Sequence, residues 1–204
     1  MKVNHIAVVG LGSIGCRHLR ILRKLRPEIK ITVVRSGKGV KREEEQLADK
    51  IVFSLDEAIK SDIQAAIIST PASFHVDQAL AFAKAGIHML VEKPLSNSLD
   101  GLRELKKIVD ENKVALQVGF QRRFHPHFQR TYDIIKSNKL GRITNVIFTV
   151  ASYIPRWHPY ENYLDLYACR KELGGGVLLT EIHEIDLSVW YFGKPESITC
   201  VGGI

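Results

Sequence analysis

Residues 10–15 read Gly10-Leu11-Gly12-Ser13-Ile14-Gly15. Glycines at this spacing let backbone N–H groups close on a phosphate. The first allows a tight turn, the second lets the chain approach a pyrophosphate, and the third lets a helix pack closely on a strand. An apolar run, Val3 to Val9, precedes the turn. Ile14, His18, Ile21, Leu22 and Leu25 follow at helical spacing. A strand entering and a helix leaving make the G-x-G-x-x-G a dinucleotide-binding turn, with the free N–H groups of the helix end facing the diphosphate. Gly10, Gly12, Ser13, Ile14 and Gly15 are therefore the expected cradle.

The second strand of such a unit usually ends on an acidic residue, roughly 20 residues past the glycines, that holds the ribose 2′-hydroxyl. Here the strand ends at Val34-Arg35-Ser36-Gly37-Lys38, with no carboxylate. Arg35 suits adenine stacking and a 2′-phosphate, and Ser36 and Lys38 add donors. The pattern favours NADP(H). A plain solvated loop that accepts NAD(H) as well is the alternative.

Beyond the turn, strand-like and helical stretches alternate as far as Gly119. Strands are expected at Ile29–Val34, Ile51–Phe53, Ala65–Ile68, His88–Val91 and Ala115–Val118. Helices are expected over Lys41–Asp49, Leu55–Lys60, around Val76–Ala83 and over Leu99–Val109, the last capped by Ser98. Alternation of this kind predicts a doubly wound parallel sheet, an N-terminal Rossmann domain over residues 1–119. The ends of two of its strands carry Ser69-Thr70-Pro71-Ala72-Ser73-Phe74-His75 and Val91-Glu92-Lys93-Pro94. Strand C-termini are where an open α/β sheet binds its ligand, so Ser69, Thr70, Pro71, His75, Glu92 and Lys93 are candidate contacts. Lys93-Pro94 is also a candidate cis peptide.

Past Gly119 the pattern changes. Phe128–Ile135 and Leu178–Phe192 read as helices, and Arg142–Tyr153 and Ile198–Val201 as strands. Residues 120–204 are expected to form a partial α+β domain. A two-strand sheet with an open edge is marginal, so truncation or cover by another subunit is expected there. Trp157, His158 and Tyr160, with Arg170 nearby, suit either sugar recognition through aromatic faces with polar tips or aromatic packing under a long loop, and Arg123 is a candidate for the same cleft.

Bulk properties narrow the class. The 204 residues are 45% hydrophobic and 25% charged, with a net charge of +7 spread along the chain. That balance suits a small anionic ligand and gives no concentrated nucleic-acid stripe. No apolar run reaches the ~20 residues of a membrane span. The N-terminus reads as a strand and turn, not an export signal. Three scattered cysteines fit a reducing cytoplasm. His183-Glu184 begins like a zinc-protease motif, but Leu187 stands where the second histidine belongs, so no metal site is expected.

Together the glycine turn, the Ala85-Gly86-Ile87-His88-Met89-Leu90-Val91-Glu92-Lys93-Pro94 stretch and Val118-Gly119-Phe120-Gln121-Arg122-Arg123-Phe124 resemble the glucose-fructose oxidoreductase / inositol dehydrogenase / rhizopine catabolism (Gfo/Idh/MocA) family. The resemblance covers essentially the whole chain. It implies an NAD(P)-dependent oxidoreductase acting on a carbinol carbon of a sugar, cyclitol or related compound, with residues 120–204 as the domain for substrate binding and for oligomerisation through its sheet. Lys93 inherits the place beside the reacting oxygen, and Glu92 orients it or touches the nicotinamide side. Gly174 to Asp186 resembles the family's nicotinamide-facing helix, where an aspartate and a histidine lie one turn apart. His183 matches the histidine as second catalytic residue, and a core histidine satisfied by Asp186 three residues on is the alternative reading. Leu179 stands where the aspartate is expected, which leaves Thr180 as a substrate contact and Glu181 as a substitute. A weaker similarity to members of bacterial surface-glycan pathways attaches to the 156–163 loop. The competing reading is a non-catalytic cofactor- or sugar-sensing protein, or an inactive fragment, on the same fold.

Overall fold

The computed structural model describes residues 3–38, 40–157 and 162–202. They fall into two compact units: Met1–Gly119 with Leu164–Thr180, and Phe120–Tyr163 with Glu181–Ile204.

The first unit is a parallel sheet of β1 (His5–Val9), β2 (Lys30–Val34), β3 (Lys50–Val52), β4 (Ala65–Ile68), β5 (His88–Val91) and β6 (Leu116–Val118). The order is β3-β2-β1-β4-β5-β6. Side chains alternate across a strand, so consecutive residues serve opposite faces. Val8 joins Leu19, Ile31 and Val33 on one side, while Ala7 and Val9 join Ile68, Phe82 and Val91 on the other. Both faces are covered, which is why these strands read as unbroken apolar runs. Helices α1 (Ser13–Leu25), α2 (Leu55–Ile59), α3 (His75–Lys84) and α4 (Leu102–Glu111) follow β1, β3, β4 and β5. The direction of strand succession reverses between β1 and β4, and a crevice forms at such a switch point, outside the strand ends.

The second unit rests on α5 (Pro126–Lys136) and α7 (His183–Phe192). Tyr132 stacks on Trp190 with ring centres 4.7 Å apart, and the Tyr191 hydroxyl donates to the Phe128 carbonyl at 3.1 Å. Helix α6 (Val177–Thr180) belongs to the first unit.

Several elements depart from expectation. The charged stretch over Lys41–Asp49 is only a 3₁₀ turn, Glu43–Leu47, because Glu45 folds back to accept from the Arg42 amide at 2.8 Å. Helix α4 starts at Leu102, not near Leu99. Gly101 precedes it at φ 70°, and Ser98 instead accepts from the Asp100 amide in a local turn. The expected 178–192 helix breaks at Glu181-Ile182 into α6 and α7. Neither Arg142–Tyr153 nor Ile198–Val201 is a strand; among the described residues, every strand lies in the six-stranded sheet. A strand exists only through its ladder, and these two segments do not pair. Their alternation still sorts faces: Val146, Phe148 and Val150 are 43%, 36% and 40% exposed, against 77% for Ile147. Ile143, Val146 and Phe148 line an apolar groove of about 430 Å³ with Ile134, Tyr191 and Phe192.

Candidate active site

The glycine turn is built as its spacing requires. Gly10 sits at φ +87°, and a Cβ there would meet Thr70 Cγ2 at 3.0 Å and the Ser69 carbonyl oxygen at 3.1 Å. A Cβ on Gly15 would lie 2.0 Å from the Gly10 carbonyl oxygen, so only glycine lets α1 come this close to the turn. The Ser69 hydroxyl, at the end of β4, donates to the Val9 and Gly10 carbonyls at 2.8 and 3.0 Å and holds the loop. Gly12 differs: a Cβ there would meet nothing within 4 Å. It is the N-cap of α1, with no side-chain capping bond and no acidic residue in the first turn. Gly12 and Ser13 are both exposed, and Ile14 is half-buried. An open glycine at a positively polarised helix end fits a dinucleotide diphosphate.

At the end of β2, Arg35 is not presented as a loose cation. Its guanidinium pairs with Glu45 and donates to the Val40 carbonyl at 2.8 Å. The side chains of the pair are only 12% and 11% exposed. Ser36 and Lys38 are exposed, and the Ser36 hydroxyl accepts from the Lys38 amide at 3.3 Å. The carboxylate absent from the strand end thus arrives from the 3₁₀ turn ten residues on.

Lys93 is the second residue past β5, after Glu92, and its peptide bond to Pro94 is cis. Its Nζ donates to the Thr180 carbonyl at 2.7 Å, at the break after α6. Thr180 itself is buried, and its hydroxyl has no hydrogen-bond partner among the described residues. Glu92 Oε1 lies 2.7 Å from His18 Nε2 of α1, and Oε2 accepts from the Lys93 amide at 3.2 Å. Burial alone would raise the Glu92 pKa. The hydrogen bond and charge of His18, then those of Lys93, outweigh it and hold the carboxyl below its ordinary range. His75 is wholly buried, with Nδ1 at 2.8 Å from the Pro94 carbonyl and Nε2 at 2.7 Å from the Thr70 carbonyl. It ties the two strand-end loops together, and Thr70 donates to Gln78 at 2.7 Å. Pro71 precedes the short turn that leads into α3. Arg170, exposed, pairs with Glu172 at 2.7 Å.

In the second unit His183 opens α7 and is buried. Its Nε2 lies 3.4 Å from Gln121 Nε2, and its ring meets Phe120 edge-on. Asp186 does not serve this histidine. It takes Arg123 Nε at 2.9 Å, and Arg123 lies over the Phe120 and Trp190 rings. Arg122 pairs with Glu184. Trp157 is half-buried and donates to Ser152. His158 and Tyr160 lie outside the described residues.

Two family models match the chain. The Gfo/Idh/MocA oxidoreductase family with an NAD-binding Rossmann fold covers residues 4–120, and the Gfo/Idh/MocA C-terminal domain covers residues 128–204. The chain belongs to the Gfo/Idh/MocA family. Among family members, inositol 2-dehydrogenase of Rhizobium meliloti (strain 1021) is 32% identical over 145 residues, 71% of this chain and 41% of that protein. scyllo-Inositol 2-dehydrogenase (NAD(+)) of Bacillus subtilis (strain 168) is 31% identical over 203 residues, 97% of this chain and 56% of that protein. In fold, the chain is similar to the WlbA dehydrogenase of Bordetella pertussis in complex with NADH and UDP-GlcNAcA. The TM-score is 0.74 at 22% identity, covering 94% of this chain and 56% of that one. The chain spans about half the length of the curated relatives it matches.

Sequence reasoning missed three members of this site. His18 reads as one more position in the apolar stripe of α1, yet its spacing of three from Gly15 puts it on the helix face nearest the turn. Gly119 hides its purpose, since only the coordinates show that a Cβ there would crowd the Glu92 carboxyl at 3.3 Å. Nothing in the spacing of Arg35 and Glu45 announces their pairing.

Proposed function

We propose that this protein is an NAD(P)-dependent oxidoreductase acting on a CH–OH group of a sugar, cyclitol or related compound, in the sense of its inositol-dehydrogenase relatives. NADP(H) is preferred and NAD(H) accepted. The observation that carries this reading is the joint placement, in one unit, of the open Gly12 turn and of Lys93 bonded to the carbonyl of Thr180, whose buried hydroxyl has no partner among the described residues. Buried polar groups without partners are rare and mark places where a ligand completes the bonding.

The cofactor, when bound, supplies hydride exchange with the substrate's carbinol carbon. Gly10, Gly12, Ser13, Ile14 and Gly15 would hold its diphosphate, and Arg35, Ser36 and Lys38 the adenosine end. Ser69, Thr70, Pro71 and His75 shape the loops around it. Lys93 holds the hydroxyl proton of the substrate at the reacting oxygen, and His183 is a second proton-handling group. Thr180, Trp157, His158 and Tyr160 are substrate contacts in this reading. Arg123 and Arg170 each already hold a carboxylate and serve position first. Residues 1–119 act as the cofactor domain and 120–204 as the part for substrate and self-association. We place the protein in a reducing cytoplasm, where the free thiols of Cys16, Cys169 and Cys200 persist. Among the described residues no helix is long and apolar enough to cross a membrane.

The test is hydride exchange with NADP⁺ or NAD⁺ over a panel of cyclitols, sugars and nucleotide sugars. Turnover that falls at least about a hundredfold in Lys93→Met supports the proposal. One observation favours the sensing alternative: Leu179 stands at the aspartate position, and the helix is broken between it and His183. Tight cofactor binding with no turnover on any compound would select that alternative.

A further inference from the structure

The Glu92 carboxylate is held from three sides within the first unit. His18 Nε2 stands 2.7 Å from Oε1. The Lys93 amide donates to Oε2 at 3.2 Å. Gly119, at the end of β6, leaves room for the carboxyl that a Cβ would crowd at 3.3–3.4 Å. The side chains of His18 and Glu92 are 19% and 14% exposed, so water competes little for this bond. His18 also lies on α1 three residues beyond Gly15, on the helix that opens at the glycine turn. One carboxylate therefore joins the phosphate-binding helix to the peptide that carries Lys93.

We propose that His18 is a positioning residue for Lys93: its imidazole fixes the Glu92 carboxylate, which in turn holds the Lys93 peptide in register with α1. Glu92 is on this account occupied inside the protein through both oxygens. The catalytic consequence rests on the reading of Lys93 given above, whereas the clamp itself does not. Without His18, a buried carboxylate loses its charge-assisted partner and reorients toward solvent. The Lys93 amide then loses its acceptor.

Hydrogen exchange at the Lys93 amide reads this directly in the full chain, with no cofactor or substrate. In His18→Ala the amide is expected to exchange at least tenfold faster, with Val33 and Ile67 in the sheet unchanged. Glu92→Ala should do the same, and the double variant no more than either alone. His18→Gln keeps an N–H donor at similar reach and should restore protection. Unchanged Lys93 exchange in His18→Ala, or effects that multiply in the double variant, would overturn the proposal. If His18→Ala fails to fold, His18→Gln beside His18→Leu, two side chains of similar size, makes the same comparison: equal protection in both overturns it. Turnover with NADP⁺ or NAD⁺ over the same panel of cyclitols, sugars and nucleotide sugars separates the two claims. An unaltered chain that transfers no hydride but shows this exchange pattern keeps the clamp and ends the enzymatic reading.

Discussion

The strands β1 to β6 and the segment 142–153 carry equally strong apolar patterns, yet only the first six form a sheet. Val8 and Val33 are fully buried and paired in register. Phe148 lies against Tyr191, but its backbone has no ladder. Periodicity tells which side of a chain faces apolar neighbours. It does not supply the partner that turns an extended segment into a strand. In the first unit each strand returns beside another through a helix on the sheet, save between β2 and β3, which the 3₁₀ turn Glu43–Leu47 joins. In the second, neither extended segment has a ladder partner among the described residues.

Hydrogen exchange should show this contrast at its largest. Amides of Val8, Val33 and Ile67 are expected to exchange at least about a thousandfold more slowly than those of Val146 and Phe148. Equal protection in both regions would mean that 142–153 does pair in solution.

Gly15→Ala comes next. Its Cβ would sit 2.0 Å from a backbone oxygen that cannot yield, so a loss of about 3 kcal/mol or more is expected by thermal denaturation. In the second unit, Arg123→Ala removes the partner of buried Asp186. Because the Arg123 side chain is 37% exposed, screening reduces the cost to about 1–2 kcal/mol. A larger loss than in Gly15→Ala would invert the ranking of the two regions.

Acid sensitivity separates them more finely. The Glu92 carboxyl is held below its ordinary value when folded, so its contribution is fully present above the unfolded pKa of about 4.3 and is lost as pH falls through the folded one. Glu92→Gln should therefore be less stable than the parent at neutral pH. The gap should close as pH falls below about 4. A gap independent of pH would contradict the shift. The smallest effect is expected at Ile198, 81% exposed: Ile198→Ser should change stability by less than about 0.5 kcal/mol.

These rankings mirror what could be read from residue order. The glycine turn, the six strands and the E-K-P segment are local patterns: each residue's purpose follows from neighbours a few positions away. Arg35 shows the limit. Its place at the end of β2 was legible, but Glu45 reaches it from a turn whose geometry no periodicity describes. His18 and Glu92 are far apart in sequence and meet only because α1 folds back across the sheet. The break after Thr180 was likewise unreadable, since the Lys93 ammonium that takes the Thr180 carbonyl comes from a distant strand end. Ser69 and His75 read as ligand contacts because they are polar at strand ends; that their hydrogen bonds also hold loops together was not legible.

The Arg35–Glu45 pair also sharpens the cofactor reading. Relieving it with Glu45→Gln should tighten NADPH binding relative to NADH by several-fold, and Arg35→Ala should remove the difference. An unchanged ratio in both variants would end the NADP(H) preference and leave dinucleotide binding intact.

The central claim is that the Gly10–Gly15 turn binds the dinucleotide, and Gly12 tests it most directly. A Cβ at Gly12 meets nothing within 4 Å, so Gly12→Ala leaves the fold free of strain. Nicotinamide fluorescence titrations of NADH and NADPH should saturate with the parent chain and fail with Gly12→Ala, at an unchanged melting temperature. Saturation of equal affinity in the variant would contradict the account.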